Sequence, residues 1–407
     1  FNKNSSLFFA TFSLYEKGKR MPINGMIPQI LSFFLPKVKT ILLLDQPHPV
    51  GDAIDPVVEI YEKGKLQKRY SFLFLFYLPI YLFCKIPSKE TTRISYKIRD
   101  FFSVLWIGIT AGKTFELFVG LEAINAIAGI VLKKLGIVKT VIYYVSDYSP
   151  IRFGNTLLNK VYLWLDRFCV IHADATWDVS PAMQKARLQA GLHPGKHYRV
   201  IHVPNGLFPN QIASLPISKR IPNSLVYMGI LDADMGPDLA IQAMKEVHKK
   251  IPDAILHIIG GNKNAVKKMR TLVTFLHLEK KVILHGFVMD NNEMAKIVRN
   301  CLIGLAPYRS FPDSVRWYGD AGKIRQYLAS GLPVVTTHVP PLGKYVTEKG
   351  AAIMTKDTVE DFAKGIVRLL KNKELYQKLA KQAEKLSKEN TWENSYLQAF
   401  QKMETSN

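Results

Sequence analysis

Two kinds of apolar pattern alternate along the chain. Short runs rich in β-branched and aromatic residues predict strands, and longer runs with apolar residues every three or four positions predict helices. In the first half the predicted strands are 6–13, 39–45, 116–121, 140–147 and 198–204. In the second half they are 224–230, 254–260, 281–287, 301–307, 333–337 and 351–355. The predicted helices include 124–135, 157–171, 237–251 and 323–329, and the tail 357–402 is helical.

This alternation is typical of βαβ units and parallel sheets. The sequence therefore predicts an α/β fold with two Rossmann-like, doubly wound domains that face a cleft. The segment 204–223, rich in Pro, Asn and Ser, is the expected linker. We expect domains at 1–205 and 206–385, and a helical tail at 386–407 that packs back on the first domain. Ligands of such folds bind at the carboxyl ends of the strands.

The composition narrows the range of partners and compartments. The 407 residues carry a formal net charge of +22, which favours anionic headgroups, phosphorylated substrates or nucleic acid. Nucleic acid is disfavoured, because the basic residues are spread out and no nucleic-acid-binding motif is present. Three widely spaced cysteines indicate a reducing, cytoplasmic compartment. The histidines show no metal-ligand spacing, so we expect no metal site.

The most apolar segment, 71–86 (SFLFLFYLPIYLFCKI), follows the basic run EKGKLQKR. It is shorter than the roughly 20 residues that a membrane-spanning helix needs. One interpretation is a buried strand followed by a core helix. The other is an aromatic element that enters a membrane surface through Phe72, Phe74, Phe76 and Tyr77, with cations at the headgroups. The sequence leaves both interpretations open.

The helix predicted at 323–329 presents an unusual pair of side chains. Lys323 and Gln326 are three residues apart and share one face near its first turn. Gly331 and Pro333 end the helix, and a β-branched run follows. The local pattern does not explain why this helix presents a cation and an amide there without a carboxylate.

Other candidates follow predicted strands. Gly229 follows one strand and opens a glycine loop that leads into a helix. Tyr308 ends another strand, directly before a long loop. Asp147 ends a strand of the first half and is a candidate general base, although a cap or turn role is the alternative. Glu122 is either a hydrogen-bond partner of a substrate or a helix N-terminal charge. The acidic pair Asp232 and Asp234 is assigned to caps and first turns.

Several short motifs resemble those of GT-B glycosyltransferases of the broad family 4-like superfamily. They are VPNG (203–206), YMG (227–229), LAPY (305–308) and YLASGLPVV (327–335). That family carries an Arg and a Lys in its first glycine loop, where this chain has Ile230 and Met235. It also places two glutamates around the last helix, where this chain has Tyr318 and Gln326.

A closer resemblance is to the bacterial xanthan-type glucuronosyltransferase family. The shared motifs are SD (146–147), SPAM (180–183), APY (306–308) and the Lys323 and Gln326 pair before GLP. The chain departs from that family at Phe287, where a Glu is usual. The resemblance implies that Lys323 and Gln326 replace the missing basic loop and the missing ribose carboxylate.

The resemblance implies a metal-independent, inverting transferase without a cofactor, whose first domain binds the acceptor and whose second binds the donor. Asp147 would be the general base, and Glu122 and Ser146 would bind the acceptor. The resemblance favours a donor sugar linked to UDP rather than to GDP, with a hexose or a hexuronate as the sugar. The residues that would hold it are Gly229, Phe287, Tyr308, Lys323 and Gln326. The acceptor would be a lipid-linked saccharide or glycolipid at the cytoplasmic face of a membrane. A retaining transferase and a non-catalytic sugar-nucleotide-binding or scaffold protein are the alternatives.

Overall fold

The structure is a computed structural model that describes residues 4–21, 26–72 and 89–405, the side chains of 89–93 excepted. The chain forms two compact units. The first comprises Phe1–Val179, Met183–Val203 and Ala399–Asn407, and the second comprises Ser180–Ala182 and Pro204–Gln398. The predicted α/β class is confirmed. The chain passes from one unit to the other at Val203, near the predicted boundary, and its last residues belong to the first unit.

The first unit is built on an eight-stranded sheet in the order β10-β9-β8-β7-β1-β4-β5-β6. Its strands are β1 (Ser6–Ser13), β4 (Thr40–Pro47), β5 (Val57–Glu62), β6 (Lys65–Ser71), β7 (Phe115–Leu121), β8 (Val138–Val145), β9 (Ala175–Asp178) and β10 (Val200–His202), and a separate two-stranded ribbon pairs β2 (Tyr15–Glu16) with β3 (Lys19–Arg20). Its helices are α1 (Ile27–Phe34), α2 (Lys89–Thr110), α3 (Glu122–Lys134), α4 (Leu157–His172) and α5 (Pro181–Gln189).

The sheet is parallel from β10 to β4. Strand β4 is buried along its whole length, as is usual in parallel sheets, which are covered on both faces. The hairpin β5–β6 adds two antiparallel strands at one edge. The sequence did not predict this hairpin, since β6 consists largely of exposed polar and basic residues. It also missed β9, which has only four residues. Strand β8 ends at Val145, two residues earlier than predicted, so Ser146 and Asp147 lie in the loop beyond it.

The second unit has a fully parallel six-stranded sheet in the order β13-β12-β11-β14-β15-β16. The strands are β11 (Ser224–Met228), β12 (Ile255–Ile259), β13 (Val282–Gly286), β14 (Ile303–Ala306), β15 (Val334–Thr337) and β16 (Ala352–Thr355). The helices are α6 (Pro237–His248), α7 (Lys263–Phe275), α8 (Asn291–Asn300), α9 (Gly322–Ala329), α10 (Pro341–Glu348), α11 (Val359–Lys371), α12 (Lys373–Glu389) and α13 (Trp392–Glu404), whose end belongs to the first unit.

The strand order of the second unit reverses at β11 and β14, which lie side by side. Doubly wound sheets bind ligands beyond the carboxyl ends of the strands at this switch point. Helix α9 is fixed there by Tyr327, whose hydroxyl donates to the Leu305 carbonyl of β14 and accepts from the Met228 amide of β11. Its ring lies against Gly304, where a Cβ atom would come within 2.3 Å of the ring. A glycine in β14 therefore lets α9 approach the sheet.

Candidate functional site

The centre of the candidate donor site is the amine of Lys323, in the first turn of α9. The residue is only 6% exposed, and its Nζ atom has no hydrogen-bond partner among the described residues. Nζ lies 4.0 Å from the ring centre of Tyr227 and 4.7 Å from that of Tyr308. These two aromatic faces attract a cation but accept no strong hydrogen bond. The site thus holds a donor group with its hydrogen-bonding capacity unused.

The electrostatic environment of Lys323 is unfavourable for a charge. Burial and, to a smaller extent, the cationic Arg316 lower the pKa of Lys323 well below its ordinary value, and Asp234 only partly offsets this. An anion brought next to Nζ would supply the missing counter-charge and the missing acceptor. The arrangement therefore favours binding of an anionic group at this position.

Gly229, directly after β11, makes room for this amine. Its φ angle is +135°, and a Cβ atom there would lie 3.3 Å from Cε of Lys323. Glycine adopts this backbone region without the strain that a side chain brings. The Gly229 amide already donates to the Ile259 carbonyl at 2.9 Å. Its contribution is therefore space beside Lys323, and its N–H is not free to hold a ligand.

An ion pair that the sequence did not predict lies next to this group. Arg316 Nε donates to Asp234 Oδ2 at 2.9 Å, and the Ser314 hydroxyl donates to the same oxygen at 3.2 Å. Asp234 was assigned to a first turn, and it does lie in the short helix Ala233–Met235, but it also binds Arg316. The two residues are 82 positions apart, so no local spacing indicates their contact.

The remaining donor candidates divide between two places. Gln326 is half-buried one turn beyond Lys323 on α9, and Tyr308 is buried against Nζ. Burial raises the pKa of Tyr308 above its ordinary value, so its hydroxyl stays neutral. Phe287 is exposed at the end of β13 and lines an open cavity of about 1160 Å³ along α7. The residues that line this cavity do not include Lys323, Gln326 or Tyr308.

The first unit has a second cluster beyond the ends of β7 and β8. Asp147 is half-exposed, and its Oδ2 atom lies 2.8 Å from Arg152 Nη1, which also donates to the Asp147 carbonyl at 2.9 Å. Arg152 was not singled out in the sequence. Burial by itself lowers the pKa of Arg152. The negative charges of Asp147 and Glu122 together have the larger effect, so the pKa of Arg152 is raised. The arrangement holds a carboxylate in a defined position at the surface of this unit.

Glu122 is engaged within the same cluster. Its Oε1 atom accepts hydrogen bonds from the Ser146 hydroxyl at 2.6 Å and the Ser146 amide at 3.1 Å. Burial raises the pKa of Glu122, and these hydrogen bonds and Arg152 only partly offset it. The φ angle of Glu122 is +65°, a conformation that costs a non-glycine residue about 1 kcal/mol or more. The Glu122 and Ser146 side chains therefore bind each other and fix the loop that carries Asp147.

The remaining predictions concern membranes and metals. Phe72 is partly buried and packs against the core of the first unit, whereas Phe74, Phe76 and Tyr77 lie outside the described residues. Over residues 4–21, 26–72 and 89–405, no helix is both long and apolar enough to cross a bilayer. Within the same described ranges, no three His, Cys, Asp or Glu side chains are grouped so that they could hold a metal ion.

Comparison with known proteins identifies the class of fold. Residues 216–386 match the family model described as "Glycosyl transferases group 1". A putative glycosyltransferase of Bacillus subtilis, YtcC, is 26% identical over 164 residues. This match spans 40% of this chain and 40% of that relative.

The solved structures extend the likeness to nearly the whole chain. OtsA in its apo form is 13% identical, with a TM-score of 0.72, and the match covers 98% of this chain and 99% of OtsA. HepE of Anabaena in complex with UDP is 14% identical, with a TM-score of 0.66 and coverage of 98% and 100%. The chain therefore has a GT-B fold, and its second unit carries the region that matches the group 1 glycosyltransferase model.

Proposed function

We propose that the protein is a glycosyltransferase that moves a hexosyl or hexuronosyl group from a UDP-sugar to a hydroxyl of a lipid-linked saccharide or glycolipid. The observation that carries the proposal is the buried, unpartnered amine of Lys323 at the switch point of the second sheet. The match of residues 216–386 to the group 1 glycosyltransferase model supports the reaction class. The UDP bound to HepE, which shares the fold, supports the choice of nucleotide.

In this proposal Lys323 binds the diphosphate of the donor. As the bond between the anomeric carbon and the phosphate oxygen breaks, negative charge develops on the diphosphate, and a preorganised cation stabilises it. Gln326 and Tyr308 complete the donor site, Gly229 leaves room for it, and Phe287 flanks the base. The pair of Lys323 and Gln326 resembles that of the xanthan-type glucuronosyltransferases. Lys323 supplies positive charge, and we assign no metal or cofactor to the reaction.

Asp147 is the proposed general base. It takes the proton of the acceptor hydroxyl while the acceptor oxygen attacks the anomeric carbon, so that the configuration inverts in a single displacement. Arg152 holds the carboxylate in place, and the contact between Glu122 and Ser146 orders the loop. Glu122 and Ser146 would contact the acceptor beside Asp147.

The donor site is tested by calorimetric titration with UDP and with GDP. We expect UDP to bind the wild type, and the Lys323→Met variant to bind it about tenfold or more weakly, which corresponds to about 1.4 kcal/mol. Lys344→Met is the matched control, because Lys344 lies on α10 in the same unit and is largely exposed. Equal UDP affinity of the wild type and Lys323→Met, or preference for GDP, would overturn the assignment.

The base is tested separately by transfer from radiolabelled UDP-glucose or UDP-glucuronate to a lipid extract. Asp147→Asn should bind UDP like the wild type while its transfer rate falls about 100-fold or more. Proton NMR of the product should show an anomeric configuration opposite to that of the donor. Retention would favour the alternative family 4-type mechanism, and an unchanged rate in Asp147→Asn would exclude this residue as the base.

A further inference from the structure

Helix α4 of the first unit buries two polar side chains. Its buried residues are Asn159, Asp166, Cys169 and Val170. Asn159 accepts from the Phe153 amide and donates to the Pro150 carbonyl, and Asp166 forms two hydrogen bonds with Arg187. The inward face therefore carries paired polar side chains beside apolar ones, unlike the uniformly apolar inner face of an ordinary surface helix.

The opposite face of α4 carries four exposed apolar side chains, whereas Phe168 on the same face is partly buried against the core. Leu157, Val161, Trp164 and Ile171, which we call the α4 stripe, follow a spacing of four, three and seven residues and so share one side of the helix. Leu157 is 77% exposed and Trp164 is 61% exposed. Single exposed apolar side chains are ordinary, but several on one side of a helix, with a tryptophan among them, indicate an interaction surface.

Helix α2, which α3 separates from α4, also carries exposed apolar side chains. Helix α2 packs against α3, and α3 packs against α4. Side chains from α2 and α3 belong to one core cluster on the sheet, and Phe168 of α4 packs against the same cluster. The sides of these helices that face away from the cluster include Phe102 and Ile109 of α2, which are exposed.

Among the described side chains of α2, α3 and α4, the exposed charged ones are cationic. Lys134 at the end of α3 and Lys160 and Arg167 on α4 are exposed. The acids of the described parts of the three helices are turned inward or engaged: Asp100 and Asp166 are buried, and Glu122 binds Ser146. A bilayer with anionic headgroups complements an exposed apolar stripe flanked by cations, because the side chains enter the acyl boundary while the cations meet the phosphates.

We propose that the α4 stripe, with Lys160 and Arg167, is a docking surface for an anionic lipid bilayer. Tryptophan prefers the boundary between headgroups and acyl chains, and Trp164 lies in the middle of the stripe. Leu157 at the start of α4 is ten residues after Asp147, and Arg152 of the Asp147 cluster lies over the ring of Tyr162 on α4. Docking therefore places a lipid surface next to the cluster that carries the proposed base. This last consequence rests on the proposed function, whereas the docking itself does not.

The docking surface is tested by sedimentation with vesicles of phosphatidylcholine alone and of phosphatidylcholine with about 30% phosphatidylglycerol, at about 0.15 M salt. We expect the wild type to sediment with the anionic vesicles only, and Trp164→Ser to bind them about tenfold more weakly. Phe275→Ser is the matched control, because Phe275 is a 76% exposed aromatic residue on helix α7 of the second unit. It should bind like the wild type.

A double variant tests the contribution of charge separately from that of apolar contact. Lys160→Glu combined with Arg167→Glu should weaken binding to the anionic vesicles, and a higher salt concentration should also weaken the binding of the wild type. Titration with UDP in the absence of lipid should give wild-type affinity for every α4 variant, so a failed docking experiment and a failed donor site are distinguishable.

Three outcomes overturn the proposal: no binding of the wild type to anionic vesicles, equal loss in Trp164→Ser and Phe275→Ser, or a stable dimer without lipid that Trp164→Ser converts to monomer. The last outcome, measured by light scattering, would assign the stripe to a second copy of the chain.

Discussion

Two buried cations, Arg187 in the first unit and Lys323 in the second, have opposite surroundings. Arg187 donates four hydrogen bonds of 2.7–2.8 Å to the carboxylates of Asp166 and Asp178. Lys323 is almost as deeply buried and has two tyrosine rings but no acceptor among the described residues. The charge of Arg187 is compensated by the protein itself, whereas the amine of Lys323 has no such partner among the described residues.

Two other buried arginines of the described chain resemble Arg187, since Arg99 binds Asp100 and Arg325 binds Asp320. Arg220 is intermediate: it donates to backbone carbonyls, and burial lowers its pKa. A fully paired buried charge has a structural role: removal of one partner leaves the other charge uncompensated and destabilises the fold. A buried charge without a partner is costly, and it is a reason to propose a binding site.

The largest effect is expected when the compensated cation is removed. Arg187→Met leaves two buried carboxylates without their partner and should lower the free energy of unfolding by about 3–5 kcal/mol. Urea denaturation measures this change. Arg69→Met is the control, because Arg69 is half-exposed, pairs with Glu59 at 3.4 Å and should contribute no more than about 1 kcal/mol. Similar losses in the two variants would contradict the role of Arg187.

Removal of the uncompensated cation should act in the opposite direction. Lys323→Met replaces a buried amine without an acceptor by an apolar side chain and should raise the free energy of unfolding by about 1 kcal/mol near pH 7. Lys344→Met, at an exposed position, should leave it unchanged within about 0.5 kcal/mol. A loss of stability in Lys323→Met would mean that the amine contributes to folding.

The pH dependence of this difference follows from the sign of the pKa shift. Because the pKa of Lys323 is lowered, the folded protein binds fewer protons than the unfolded chain below about pH 10.4. The contribution of Lys323 to stability is therefore fully present above that pH and is lost as the pH falls towards the folded value. The gain from Lys323→Met should be larger near pH 7 than near pH 10.

A histidine pair is an intermediate case with a smaller effect. His257 Nδ1 and His285 Nε2 are 3.0 Å apart, and burial, together with the charge of His285 on His257, lowers the pKa of both rings. Their neutral forms stabilise the second unit above about pH 6.5, and this contribution is lost as the pH falls further. Wild-type stability should therefore decrease by about 1 kcal/mol between about pH 7 and pH 5.

The variant His285→Gln should reduce this decrease, since it removes one of the two coupled protonation sites. His338→Gln, at an exposed histidine of the same unit, should leave it as in the wild type. Urea denaturation at the two pH values measures the difference. An equal acid dependence in all three proteins would exclude the pair as its origin.

The sequence was informative wherever local pattern decides structure. Every strand predicted in the second half exists within a few residues of its expected position, because apolar runs there are short and bounded by turn residues. It failed at the hairpin β5–β6 and at β9, where strands form from polar or very short segments. Strand β6 is stabilised by pairing with β5, and β9 by pairing with β8, so neither strand needs a recognisable apolar pattern of its own.

The site was predictable in part. Lys323, Gln326, Gly229 and Tyr308 could be proposed from their positions at strand ends and in the first turn of a helix. The contact of Arg316 with Asp234 and that of Arg152 with Asp147 could not, because neither pair forms a recognisable motif. The deep burial of Lys323 was also not evident, since lysines are almost never fully buried.

The α/β class, the order of most strands and helices, and the polar residues at strand ends follow from the amino-acid sequence, because they depend on local periodicity and turn chemistry. The side of α4 that faces solvent, and the position of Lys323 near two tyrosine rings without an acceptor among the described residues, emerge from the folded chain. Burial and charge compensation depend on neighbours distant in the chain. The same apolar stripe can face a core or a membrane, and the same lysine can be solvated or buried.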